Sequence, residues 1–175
     1  MKGVNKKDFF IVSLLVIIDQ VIKLIIKFNF FDETYNIIGD YVRFEPIINH
    51  KMSWVGTFID VLSNPILITV INVIAIYLLF CSYRYFKFKT SEHNKNLNIL
   101  FLMAIAGGIC SLIDKVFWGG SLDYIALKNL FIFDLKDCYI TFFGIGLIIY
   151  SFKMDDDISL KEFFEFNFNK KKNRK

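Results

Sequence analysis

Histidine, proline and cysteine are scarce in this chain of 175 residues, which holds two, two and three of them respectively. His50 and His93 fall in separate polar stretches, so a Ser-His-Asp site is unpromising and no H-E-x-x-H zinc motif exists. Cys81, Cys110 and Cys138 form no C-x-x-C or other metal spacing. Each lies in or beside an apolar run, where cysteine acts as a small buried hydrophobe. The chain has no glycine-rich phosphate loop of the Walker type and no internal repeat. No small-residue cleavage site follows the first apolar run, which is also interrupted by Asp19, Gln20 and Lys23. That run is therefore expected to be retained as a span, not removed as a signal peptide. Charge is sparse too: charged residues make up 22% of the chain against 55% hydrophobic, with a mean hydropathy of +0.46. Such a balance excludes an ordinary soluble domain.

What the chain does have is apolar length. Four runs, at about 9–28, 65–85, 97–117 and 137–152, suit membrane helices, since roughly 20 residues at 1.5 Å each cross the hydrocarbon core. The last is short and gains length from residues at its ends. Between the first two runs, residues 40–45 alternate in side-chain character as a strand does. Pro46 makes that segment an edge or a bend, and β-favouring residues continue to Gly56. The expected fold is an all-α membrane protein: four transmembrane helices, with a small extracytoplasmic β-cradle at about 36–59 between the first and second. A single integral membrane domain, 1–175, is expected, with a basic tail at 153–175. Pro65 suits the first turn of the second helix, and Asn72 reads as a helix-packing residue. Gly107 and Gly108 would let the third helix approach its neighbours closely.

The net charge of +4 says less than its distribution. Lys2, Lys6 and Lys7 precede the first run; Arg84, Lys87, Lys89 and Lys95 separate the second from the third; Lys153 and the cluster at 170–175 follow the fourth. The remaining loops carry only Arg43, Lys51, Lys128 and Lys136, diluted by acids. The positive-inside rule then places both termini and the middle loop in the cytoplasm, and the acidic loops outside. The basic tail reads as a contact with anionic lipid headgroups, not with nucleic acid.

Carboxylates carry whatever chemistry remains. Asp19 and Lys23 share one face of the first helix and read as a pair that partly neutralises itself inside the bundle. Asp123 and Asp137 stand at the mouths of a membrane-length hairpin. A carboxylate there costs roughly 2.5–3.5 kcal/mol to insert, which makes it a functional candidate. Two aspartates that share a site cannot both ionise easily. The charged one can take a proton from water attacking a carbonyl, and the protonated one can polarise that carbonyl. Chemistry of this kind needs no metal and no cofactor. Spacing alone equally allows Asp137 to be the N-cap of the fourth helix and Asp123 to be a solvated loop residue. A Ser-Lys site, through Ser53 or Ser121 with Lys51 or Lys128, also stays open. A small transporter is weaker, because the charges gather at one face.

Taken together, these residues resemble lipoprotein signal peptidase, the signal peptidase II family of membrane aspartic proteases. Asp19-Gln20-x-x-Lys23 is similar to that family's D-Q-x-x-K, and the segment from Ile47 to Trp54 falls at its N-x-G-A-A-F. Gly108 to Tyr124 follows G-N-x-x-D-R…G-x-V-V-D-F, with Asp114, Gly120 and Asp123 in register. Phe133-Asp134-Leu135-Lys136-Asp137 matches F-N-L-A-D, and Gly144 sits where a later glycine is expected. The resemblance implies an endopeptidase of the bacterial cytoplasmic membrane, a multi-pass monomer with its active site on the outer face. Its substrates would be diacylglyceryl-modified prolipoproteins, from which it removes the signal peptide. Asp123 and Asp137 would be catalytic. Asn49, Trp54, Ser111, Lys115 and Asp134 would support the site or contact substrate, and Asp19, Lys23 and Asp114 would be scaffold.

Departures from the family pattern are Lys51 for a glycine, Ser111 for an asparagine, Lys115 for an arginine and Asp134 for an asparagine. The loop between the two aspartates is also shorter than usual. Lysine lacks arginine's planar fork of donors. Asp134 adds a third carboxylate, which would raise its neighbours' pKa values unless Lys136 or Lys128 compensates. The same departures admit an alternative, a non-catalytic or narrow-client paralogue that binds lipidated peptides or lipid.

Overall fold

The computed structural model describes residues 5–50, 64–89, 95–152 and 160–168. Lys51, Ser53, Trp54, His93 and the basic cluster at 170–175 lie outside the described residues. Among the described residues, three helices are long and apolar enough to cross a membrane: α1 (Lys6–Asn29), α2 (Pro65–Lys89) and α3 (Lys95–Ile113), the last continuing through a π-helical turn at Asp114–Trp118. α1 opens with a capping box in which Asn5 N–H donates to the Asp8 carboxylate at 2.9 Å. α4 (Leu135–Ser151) has 17 residues, and a short α5 (Leu160–Phe168) packs its Phe163 and Phe166 rings against Tyr85 of α2.

α3 is the hub. Half of its most apolar window is buried, against 17% for α1 and α2, and it packs against α1, α2 and α4. Through the middle of α1 and α2 the exposed side chains, among them Ile17, Val21, Ile25, Val70 and Ile74, are apolar, as helices solvated by lipid require. Two apolar clusters mark the ends of the bundle. Tyr83, Leu97, Phe101, Leu102 and Ile105 form one; Ile26, Phe44, Leu122 and Tyr124 form the other, under the sheet. Near the first, Asp8 accepts from Tyr83 Oη at 2.8 Å and from Lys87 Nζ at 2.6 Å. Cys81 and Cys110 are buried as expected of small hydrophobes, while Cys138 is partly exposed.

The sheet corrects two expectations. Its strands β1 (Tyr35–Ile38), β2 (Val42–Asn49), β3 (Ser121–Leu127) and β4 (Ile132–Phe133) are antiparallel in the order β1-β2-β3-β4. Among the described residues, two of the four strands therefore come from the loop between α3 and α4, not only from the one between α1 and α2. β2 is also an interior strand despite Pro46. The register of β2 on β3 shifts between Phe44 and Ile47, so the proline sits at an irregularity where no ladder hydrogen bond is asked of it.

Gly107 holds α4 close. A Cβ there would lie 3.2 Å from the Lys136 carbonyl oxygen and 3.0 Å from the Ile140 side chain. Gly107→Leu should therefore force α4 away from α3 and destabilise the protein by about 1–3 kcal/mol, as overpacking does. The thermal midpoint in detergent measures this; a variant that melts with the wild type would contradict the close approach.

Candidate active site

The polar centre is built around one ammonium. Lys23 Nζ of α1 is completely buried and lies 3.2 Å from Asp19, 2.6 Å from Asp114 and 2.7 Å from Asp134. It ties α1 to the turn that ends α3 and to the residue that opens α4. Gln20 extends the knot: its amide donates to Asp19 at 3.1 Å and Asp114 at 3.3 Å, and its carbonyl accepts from the Trp118 indole at 3.2 Å. The pair expected between Asp19 and Lys23 is thus one edge of a larger cluster. An isolated pair would leave most of the burial penalty uncompensated.

Asp134 and Asp137 face each other across the first turn of α4. Asp134 accepts from Asp137 N–H at 3.2 Å, and Asp137 Oδ2 accepts from Asp134 N–H at 3.3 Å, a reciprocal capping box. The N-cap is therefore Asp134. Asp137 takes the third helical position, where its carboxylate reaches back over the positive end of the helix.

Asp123 lies on β3, buried in the sheet and not in a solvated loop. Ser121 precedes it by two residues on the same face of the strand and pairs across the ladder with Asn49 of β2. Both neighbours hold the carboxylate: Ser121 Oγ donates to Oδ1 at 2.6 Å and Asn49 Nδ2 to Oδ2 at 3.2 Å. One carboxylate oxygen from each of Asp123, Asp134 and Asp137 lies within 4.8 Å of the others.

The cation set among these carboxylates is Lys136. Its Nζ lies 2.5 Å from Asp134, 3.3 Å from Asp114 and 3.7 Å from Asp123, and donates to Ser121 Oγ at 2.5 Å. Burial pushes the Asp123 carboxyl above the usual carboxylate range against the pull of Lys136 and Ser121. Asp134 is buried as well, yet Lys136 and Lys23 lying against it hold it below that range. Lys136 and Lys23 thus supply the compensation that a third carboxylate requires. Lys128 does not: it lies 3.9 Å from Asp40 and over the Tyr41 ring.

A cavity of about 710 Å³ opens beside this cluster. Asn49, Ser111, Asp114, Lys115, Ser121, Asp123, Lys136 and Asp137 line its polar side, and Ile68, Ile71 and Ala75 of α2 with Ile140 of α4 line its apolar side. Lys115 folds back one turn so that Nζ donates to Ser111 Oγ at 2.5 Å. Asp19, Lys23 and Asp134 sit behind the wall, buried. Asp114, expected as scaffold and first residue of the π-helical turn, also lines the cavity while it binds Lys23. Trp54 lies outside the described residues. Sequence reasoning missed Ser121 as a partner of Asp123 and gave Lys136 only a compensating role. Their one visible signal was a lysine enclosed by acids in Asp134-Leu135-Lys136-Asp137.

The family model of signal peptidase (SPase) II matches residues 11–153. The chain belongs to the signal peptidase II family. Two solved structures share its fold, both described as bacterial membrane enzyme structures obtained by the in meso method. One, at 2.3 Å resolution, has a TM-score of 0.69 and 22% identity, covering 87% of this chain and 94% of the other. The second, at 1.9 Å, has a TM-score of 0.60 and 25% identity, covering 86% and 94%. No curated protein matches by sequence. Signal peptidase II proteins are proteases that process lipoprotein signal peptides, and the three apolar helices make this member a multi-pass membrane protein.

Lys23→Met should leave Asp19, Asp114 and Asp134 without their shared cation and destabilise the fold by about 3–5 kcal/mol. Adding Asp19→Asn should recover part of that loss. Melting curves in detergent report both effects, and an unaltered midpoint for the single variant would deny the ammonium its role in holding the elements together.

Proposed function

We propose that this protein is a membrane aspartyl endopeptidase that removes signal peptides from diacylglyceryl-modified prolipoproteins, with Asp123 and Asp137 as the catalytic pair. The observation that carries this reading is their convergence: residues of a strand and of a helix start, fourteen positions apart in the sequence, present carboxylate oxygens within 4.8 Å of one another on the wall of one cavity. Two carboxyls so close share a single negative charge more readily than two. Asp123 takes a proton from a water molecule as its oxygen attacks the scissile carbonyl. The proton on Asp137 passes to the carbonyl oxygen, giving a tetrahedral diol. When that intermediate collapses, the C–N bond breaks and the amine leaves with a proton from one carboxyl, while a diol proton restores the shared one.

The two-sided cavity suits such a substrate. Ile68, Ile71, Ala75 and Ile140 offer an apolar wall for acyl chains, and Asn49, Ser111 and Lys115 offer polar contacts to the peptide or headgroup. α4 serves as a fourth span: its 17 residues extend roughly 26 Å at 1.5 Å per residue, and its ends make up the rest. The whole chain, 1–175, then forms one integral domain in the bacterial cytoplasmic membrane, active as a monomer because one chain supplies both aspartates. Among the described residues, Lys6, Lys7, Lys87, Lys89 and Lys95 stand at the helix ends away from the sheet, which supports cytoplasmic termini and a site on the outer face.

Asp123→Asn and Asp137→Asn should each fold in membranes yet release no signal peptide from a synthetic diacylglyceryl-modified prolipoprotein peptide in detergent. Normal cleavage by either purified variant would remove that residue from the mechanism.

The pH dependence follows from the raised pKa of Asp123. The base must be ionised, and its ionised form disappears as pH falls through that pKa. The acid limb of kcat/KM should accordingly lie above the ~3.9 of an unperturbed aspartate. A limb at or below that value would assign the ionisation elsewhere.

A further inference from the structure

We infer that Lys136 is a positioning residue that keeps Asp123 ionised and so fixes which aspartate is the base and which carries the proton. This rests on the two-aspartate reading above and adds a member to it.

The geometry is unequal for the two acids. Lys136 Nζ stands 3.7 Å from Asp123 Oδ1, and Ser121 links them a second time, accepting from Nζ at 2.5 Å and donating to Oδ1 at 2.6 Å. Asn49 donates to the other oxygen at 3.2 Å. Each of these contacts favours the anion. Asp137 has no ion pair within 4.0 Å among the described residues; its carboxylate accepts from the Asp134 N–H at 3.3 Å. The helix terminus beneath it supplies about half a charge, and the Lys136 ammonium, which acts on both acids, reaches Asp137 only from beyond 4.0 Å, whereas it stands 3.7 Å from Asp123 and is linked to it through Ser121. The single proton of the pair therefore resides on Asp137.

Every element around Lys136 contributes to its placement. Asp114 of the turn after α3 lies 3.3 Å away and Asp134 at the start of α4 lies 2.5 Å away. Ser121 and Asp123 face it from β3, and Asp137 from its own helix. Lys23 of α1 does not compete for Asp123; it binds Asp114 and Asp134 from behind. Lys115, also facing the cavity, is folded onto Ser111. Lys136 is thus the one ammonium among the described residues within 4.0 Å of either proposed catalytic carboxylate. A lysine can hold this place because Asp134, where the family has asparagine, anchors it. The two differences from F-N-L-A-D work as a unit.

The test uses the full-length protein in detergent with a diacylglyceryl-modified prolipoprotein peptide, and reads kcat/KM against pH. Lys136→Met should move the acid limb upward by about one to three pH units, the range an opposite charge at this distance produces. Activity measured below the wild-type limb should fall tenfold or more. Lys136→Arg, which keeps the charge, should restore the limb toward its original position. Should Lys136→Met not fold, the Asp134→Asn background keeps the buried charge balanced. There, adding Lys136→Met should raise the limb relative to Asp134→Asn alone. A folded lysine-less variant whose limb stays in place overturns the assignment of Lys136. If Asp123→Asn and Asp137→Asn also remain active, the two-aspartate reading itself fails; if they are inactive, only the role of Lys136 is lost.

Discussion

A single buried ammonium sets the architecture of the polar centre. Lys23 meets three carboxylates at 3.2, 2.6 and 2.7 Å, contributed by α1, by the turn that ends α3 and by the residue that opens α4. In an apolar environment none of these groups can be left alone, since an unpaired buried charge costs several kcal/mol. The elements that carry them are therefore held at one level of the bundle. That level is where β3 leaves the turn after α3 and where α4 begins, so the same constraint delivers Asp123 and Asp137 to one wall.

The sheet completes the arrangement. β2 and β3 come from different inter-helix loops, and their pairing sets Asn49 beside Ser121 and both beside Asp123. Apolar packing under the sheet, through Ile26, Phe44, Leu122 and Tyr124, joins it to α1. The proposed substrate, a lipidated peptide, would call for polar groups and an apolar wall in the same cavity, and the lining has both. The helices supply the wall and the sheet with the helix starts supplies the polar groups, a division that follows from which elements face lipid.

Much of this was legible before any coordinates. Apolar length named four spans because lipid imposes that length directly; three of them are helices long enough to cross, while α4 has 17 residues. Gly107 could be assigned to close helix packing from its size alone. Asp19 and Lys23 were visible as partners because one helical turn separates them. Other residues misled for physical reasons. Pro46 reads as marking an edge strand or a bend, yet the register shift beside it lets β2 run on in the interior of the sheet. Spacing leaves Asp137 open as a helix cap beside its reading as a site residue; Asp134, three residues earlier, takes the cap position and Asp137 faces the cavity. Lys136 gave little sign of its position, because side chains two apart on a helix diverge. It reaches Asp134 only because Asp134 is extended, outside the helix.

By itself, the order of residues determined the membrane character, the main helices and the family motifs, since each depends on composition and short spacing. Tertiary structure alone decided that Asp123, Asp134 and Asp137 share one group with Lys136 among them, that Asp114 serves both scaffold and cavity, and that the cradle draws on two loops. Those facts depend on how far-separated segments meet. That meeting is governed by charge burial and strand pairing across the fold, which no local pattern records.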